Sequence, residues 1–130
     1  MRGQAALEYM FLIGLMFIIL GIVFVYSSQA SILSLRTTQS AETVQLIANA
    51  ADRIYKTGGG NTTVIVDIPS GVVNQSVANR SIRLTLRIGD NTGDAFSVTA
   101  GNVTGSLPTV QGRYKIVVEM ISSGVQVRPL

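Results

Sequence analysis

The chain has 130 residues, 47% of them hydrophobic and 13% charged, and a formal net charge of +3. This length accommodates one modest folded domain in addition to a long helix. The sequence contains no cysteine, which excludes disulfides and thiol chemistry, and the additional lack of histidine and tryptophan argues against an enzyme. Its basic residues are scattered and no aromatic residues interleave with them, which argues against a nucleic-acid-binding surface.

Residues 4–26 form an almost wholly apolar stretch, QAALEYMFLIGLMFIILGIVFVY. About 20 apolar residues of helix suffice to cross a bilayer, and a helix satisfies its own backbone hydrogen bonds there. Glu8 is the one carboxylate in this stretch, and because a carboxylate is costly in lipid we expect it to have a function. A secretory signal cleaved after Ser28 or Ala30, and an uncleaved single-pass anchor, are alternative interpretations.

Residues 27–57 contain neither proline nor glycine, so we expect one helix to continue from Gln4 to about Lys56. The glycines at 58–60 then end the helix and form a joint. Spacings of three, four and seven predict an apolar stripe on the second half of this helix, packed against a folded domain while the apolar first half projects. The stripe comprises Val44, Ile47, Ala48, Ala51, Ile54 and Tyr55.

Gly14 and Gly21 are seven residues apart in the apolar half and therefore lie near the same face. Small residues allow the backbones of neighbouring helices to approach closely in a nonaqueous bundle. Glycine is also simply frequent in membrane helices, so helix packing and composition explain these two residues equally well.

Beyond the glycine joint the hydrophobic period changes to two, which predicts strands at 62–68, 81–88 and 94–99 and a short one near Val103. Residues 113–121 and 124–128 are predicted to pair as a hairpin across two serines. Proline and glycine close the first strand at 69–71, and 89–93 (GDNTG) reads as a turn. The expected fold class is α+β: a long N-terminal helix followed by an antiparallel β domain of about five to seven strands.

Four of the six asparagines begin N-x-S/T sequons, each in a predicted loop or strand end. A glycan at such a position can be carried on the surface of an exported domain. The candidate N-glycosylation sites are Asn61, Asn74, Asn79 and Asn102.

No constellation of residues indicates catalysis, a cofactor or a metal. The carboxylates beyond Glu8 lack the paired spacing of general acid and base groups. Asp90 and Asp94 flank a glycine, as in a calcium loop, but the long loop and the distal bidentate glutamate of that motif are missing, so a hairpin turn is favoured.

The start of the chain, Arg2-Gly3-Gln4-x-Ala6-x-Glu8-x-x-x-Leu12, resembles the class III signal peptide of archaeal type IV pilins, with alanine at the sixth position where serine is the common choice. The order of later segments is similar to that family as well: Ile54-Tyr55, the glycines at 58–60, Pro69, 102–108 (NVTGSLP) and a terminal hairpin at 115–127.

The resemblance implies that a prepilin peptidase cleaves between Gly3 and Gln4. Residues 1–3 would be the leader peptide, 4–57 the long helix with 4–26 as transmembrane segment and later filament core, and 58–130 the exposed β-rich domain. Gln4, Ala6, Glu8 and Leu12 would be the assembly positions, with Glu8 pairing the new α-amino group of a neighbouring subunit. If Gln4 cyclises, that amine is lost and Glu8 needs another donor.

The function that this resemblance implies is a structural pilin of an adhesion pilus, located on the cell surface and held in the cytoplasmic membrane before assembly. Its partners would be identical subunits in a helical homopolymer, the prepilin peptidase, a pilus assembly ATPase, a membrane platform protein, and surfaces or other cells. A minor pilin or pseudopilin of the same system is one alternative. A monomeric membrane-anchored surface binding protein is another.

Overall fold

The computed structural model describes residues 2–130 and consists of one helix and a seven-stranded sheet, so the expected α+β class is confirmed. The helix α1 (Arg2–Thr57) precedes all strands. The strands are β1 (Asn61–Ile68), β2 (Val72–Ala78), β3 (Ser81–Ile88), β4 (Asn91–Val98), β5 (Val103–Gly105), β6 (Gly112–Ile121) and β7 (Gly124–Pro129).

The chain divides into two compact units, the first ending at Ser34 and the second formed by Leu35–Leu130. Helix α1 contributes residues up to 34 to the first unit and residues 35–57 to the second. All seven strands belong to the second unit, which therefore contains the hydrophobic core.

The helix ends at the glycine joint, as predicted. Gly58 has a φ of 79°, and its N–H donates to the Ile54 carbonyl at 3.0 Å, which closes the last turn. A left-handed residue at this position is the usual helix C-cap, and glycine adopts it without a steric penalty. The observed end, Thr57, is one residue beyond the predicted one.

The apolar stripe of residues 35–57 packs on the sheet, with one correction. Five of its six predicted members are buried, namely Val44, Ile47, Ala48, Ala51 and Ile54. Tyr55 is 45% exposed, and its ring instead lies beside Gly101. Ser40 and Thr43 extend the buried stripe by one turn, and the sequence did not indicate them because both are polar.

The sheet is open, with β1 and β4 at its edges, in the order β1-β6-β7-β5-β2-β3-β4. The expectation of an antiparallel sheet is right for every pairing except that of β5 with β7, which is parallel. The short strand β5 runs antiparallel to β2 on its other side. Strands β2 and β7 run in opposite directions, so β5, which lies between them, must be parallel to one of the two.

Strand β2 is absent from the sequence-based expectation. Its pairing with β3 shifts register between Val72 and Asn74, so the bulge hides the alternation that would have indicated a strand. Strand β4 begins at Asn91, three residues earlier than predicted, which leaves Gly89 and Asp90 as the turn. The remaining strands lie where they were predicted. The ends of β1, β3, β6 and β7 agree with the prediction within one residue, and the short β5 begins at Val103.

Candidate functional site

The apolar first part of α1 carries the most unusual surface of the chain. Every large hydrophobic side chain from Leu7 to Tyr26 is between 46% and 73% exposed. None of the residues 2–34 is buried. By its length and composition α1 could cross a membrane, but a signal sequence near the N-terminus meets the same two criteria. No proline interrupts this helix, and in an apolar environment a helix satisfies its own backbone hydrogen bonds, which outweighs the weaker helix propensity of its β-branched and aromatic residues.

Exposing this surface to water is strongly unfavourable in free energy. Burying one large apolar side chain is worth about 1.5–3 kcal/mol, so covering the whole segment is worth on the order of tens of kcal/mol. Apolar residues lie on all sides of the helix from Leu7 to Tyr26, so a single flat partner would leave part of the segment exposed. Lipid, or several apolar helices around it, would cover all sides.

Glu8 lies within this apolar surface without a partner. Within residues 2–130 its carboxylate makes neither a hydrogen bond nor an ion pair. Leu7, Phe11 and Leu12 surround it, together with Gln4 one turn earlier. A carboxylate that is moved from water into an apolar environment needs a hydrogen-bonded partner, and none of residues 2–130 bonds to it there.

The motif positions share the first turns of α1. Gln4, Glu8 and Leu12 follow each other at intervals of four, so they lie one above another along one face, and Ala6 lies away from that face. The expected cleavage point between Gly3 and Gln4 is within the exposed start of the helix. Met1, the first residue of the expected leader, lies outside the described residues.

Gly14 and Gly21 have no packing role within the chain. A Cβ added at either position would meet nothing within 4 Å. Ile18, Ile22 and Val25 form a shallow apolar groove beside Gly21. Any close approach that these glycines permit must therefore involve another molecule.

The four sequon asparagines are all exposed in the second unit. Asn61 begins β1, Asn79 lies in the β2–β3 turn with a φ of 57°, and Asn102 precedes β5. Asn74 corrects the expectation of a loop or strand end, since it lies inside β2 next to the bulge, where its side-chain oxygen accepts the Gln75 N–H at 2.8 Å.

Among residues 2–130 there is no group of three or more His, Cys, Asp or Glu side chains that could hold a metal ion. Asp94, from the calcium-like segment, accepts a hydrogen bond from Thr85 at 2.7 Å and pairs with Arg83 at 3.5 Å. Both contacts join β3 to β4, so Asp94 serves the pairing of these strands.

Comparison of the chain with protein-family models, with curated proteins and with solved structures gives no match.

Proposed function

We propose that this chain is the structural subunit of an archaeal type IV adhesion pilus, a filament in which the apolar part of α1 is buried among copies of itself. The observation that carries the proposal is the exposed apolar helical segment with an unpartnered Glu8, in a chain whose other unit has a complete core. The resemblance of 2–12 to a class III signal peptide supports it.

Assembly would begin with removal of residues 1–3 by a prepilin peptidase, which gives Gln4 a free α-amino group. In the filament core, Glu8 of one subunit would pair with this amine on a neighbour. Because an unpaired carboxylate is expensive in an apolar bundle, only the packing that brings the two charges together would be stable. Glu8 would thereby set the axial register of the subunits. If Gln4 cyclises, another donor would have to take this place.

The filament would be a helical homopolymer, since heterologous contacts that do not close on themselves generate open helices. Before assembly the segment 4–26 would lie in the cytoplasmic membrane, and a separate ATPase and platform protein would extract it. Gly14 and Gly21 would allow close helix contacts in the core. The β domain would form the outer surface, carry any glycans, and contact other cells or surfaces, without catalysis, cofactor or nucleic acid.

Two alternatives use the same segment differently. A minor pilin or pseudopilin would prime or cap the filament and would be scarce in purified fibres. A monomeric surface protein would keep α1 as a membrane anchor, which its length and apolarity also permit. Abundance in sheared fibres distinguishes the first alternative from a major pilin, and retention in the membrane identifies the second.

The decisive variant is Glu8→Gln, which keeps the size of the side chain and removes its charge. Loss of one member of a buried ion pair costs about 3–5 kcal/mol, so we expect the yield of sheared surface fibres to fall more than about tenfold. The amount of chain in the membrane should not change. Glu42→Gln, on the exposed face of the same helix, is the matched control and should assemble normally. Normal fibres from Glu8→Gln would contradict the proposed register.

A further inference from the structure

A polar hollow lies at one end of the sheet, where four segments of the second unit meet. Its walls are the last turn of α1, the β2–β3 turn, the loop between β4 and β5, and the β6–β7 turn. Its volume of about 420 Å³ is in the range of small-molecule sites. The polar and aromatic side chains that line it are Tyr55, Arg80, Asn102, Ser122 and Ser123.

The β4–β5 loop is held in place on the side that faces the hollow. Thr99 is buried, with its N–H donating to the Arg80 carbonyl at 2.9 Å and its hydroxyl to the Gly101 carbonyl at 2.8 Å. A Cβ at Gly101 would overlap the Tyr55 ring, so the ring and the loop backbone are in close contact. The walls are therefore formed before any ligand arrives, which lowers the entropic cost of binding.

Two backbone hydrogen bonds connect the remaining walls. The Val103 N–H donates to the Asn79 carbonyl at 2.6 Å, and the Val125 N–H donates to the Asn102 carbonyl at 2.9 Å. The first bond joins the start of β5 to the β2–β3 turn, and the second joins the β4–β5 loop to β7. The hollow is consequently a property of the folded sheet, formed by segments that are distant in sequence.

Arg80 is the one charged side chain among the residues that line the hollow. Its Nε–H donates to the Thr99 carbonyl at 3.3 Å, and no carboxylate within residues 2–130 pairs with it. No Asp or Glu lines the hollow, and the nearby Asp52 carboxylate already accepts the Ala100 N–H at 2.8 Å. Of the four arginines in the strands, Arg83, Arg113 and Arg128 have carboxylate partners, whereas Arg87 of β3, like Arg80, has none within residues 2–130.

We propose that this hollow binds a saccharide that carries a carboxylate, such as a uronic acid. The guanidinium of Arg80 would take the carboxylate, because such charge-assisted bonds are strong and geometrically selective. The Asn102 amide and the hydroxyls of Ser122 and Ser123 match sugar hydroxyls, and the exposed part of the Tyr55 ring offers an apolar face to the C–H groups of a pyranose. This inference concerns the second unit alone and does not require that the chain assembles.

The test uses the full chain in a polyoxyethylene detergent, which has no sugar head group that could compete for the site. Mass spectrometry must first show that Asn102 is unmodified, because a glycan there would stand at the mouth of the hollow. Digalacturonic acid is titrated at low salt, with digalactose and acetate as comparison probes, and binding is followed by calorimetry. We expect digalacturonic acid to bind at least about tenfold more tightly than either comparison probe, because only it can use the cation and the polar wall together.

Two variants locate the site. Arg80→Gln should weaken digalacturonic acid binding about tenfold or more, whereas Arg87→Gln, at an exposed arginine of β3, should not change it. Loss of the Arg80 side chain could also disturb the loop, so Ser123→Trp is an independent test. The tryptophan would fill the hollow from an exposed turn and should weaken binding, whereas Thr109→Trp, at an exposed residue outside the hollow, should not change it. Equal binding of digalactose or acetate, unchanged binding by Arg80→Gln and Ser123→Trp, or no binding of digalacturonic acid would each overturn the proposal.

Discussion

The two parts of α1 have opposite relations to the rest of the protein, although both are helical and rich in apolar residues. Residues 35–57 bury five aliphatic side chains spaced by three and four, and this narrow stripe matches one face of the sheet. Residues 2–34 bury none. The difference shows that the arrangement of apolar residues, and not their number, decides whether a helix finds its cover within its own chain.

Polar contacts follow the same division. In the second part, Thr43 donates to the Asp67 carbonyl at 3.0 Å and Asp52 accepts from Ala100, so the helix is bound to β1 near one end of the stripe and to the β4–β5 loop near the other. In the first part, the Ser28 hydroxyl returns to the Val25 carbonyl of its own helix at 2.9 Å. Thr43 and Asp52 therefore bind the second part to other segments of its own unit, whereas the Ser28 contact stays within the helix.

The largest expected effect on stability comes from truncating the same residue type in the two parts. Ile47 is fully buried, so Ile47→Ala should lower the free energy of unfolding of the β domain by about 2–5 kcal/mol through lost contacts and a cavity. Ile19→Ala, at a side chain that is 53% exposed, should leave it unchanged. Urea unfolding of the full chain in non-ionic detergent, followed by near-ultraviolet circular dichroism, measures both. Equal losses would refute the division of α1 into two kinds of surface.

Glycines provide a second matched comparison, of intermediate size. Gly101→Ala places a methyl group against the Tyr55 ring and should destabilise the domain by about 1–3 kcal/mol, the usual cost of overpacking. Gly21→Ala meets empty space and should not lower the same unfolding free energy. Thermal unfolding of the two variants in parallel provides the measurement, and a destabilised Gly21→Ala would reveal an intrachain contact of the apolar part.

The smallest effect concerns an exposed ion pair of the second unit. The Arg113 guanidinium, which donates to Asp67 from Nε at 2.9 Å, lowers the pKa of that carboxyl mainly through this hydrogen bond and further through its charge. A carboxyl with a lowered folded-state pKa adds stability above its unfolded pKa of about 3.8, and this contribution disappears as the pH falls through the folded value.

The difference in melting temperature between the wild type and Arg113→Gln should therefore be small but measurable at pH 6, should shrink once the pH falls below 3.8, and should vanish below the lowered folded-state pKa of Asp67. Lys115→Gln, at an exposed residue of the same strand, controls for loss of a positive charge. A difference that persists unchanged in acid would mean that Arg113 stabilises the domain through packing of its side chain and not through Asp67.

Local patterns were sufficient to predict much of the fold. The helix and its glycine stop, strand β3 and the β6–β7 hairpin all carry strong periodic or capping signals, and the structure has them at nearly the predicted positions. Strand β2 was missed because its bulge breaks the alternation, and the parallel β5–β7 pairing because it depends on strand order, which no local pattern encodes.

The candidate sites divide in a similar way. Glu8 could be identified from the sequence because a carboxylate within an apolar run is anomalous by itself. The hollow around Arg80 could not, because its walls come from segments between Tyr55 and Gly124 that only the sheet brings together. Tyr55 was assigned to the apolar stripe by its helical spacing from Ala48 and Ala51, although its ring lies on the β4–β5 loop at the edge of that hollow.

The central claim is that the apolar part of α1, freed of residues 1–3, holds subunits together in a surface filament. The most direct test is the mass of the N-terminal peptide of this chain in fibres sheared from the cell surface. The pilin proposal requires abundant chain in the fibres, with a peptide that begins at Gln4 or its cyclised form. Chain that is confined to the membrane and begins at Met1, or chain cleaved after Ser28 or Ala30, would contradict it.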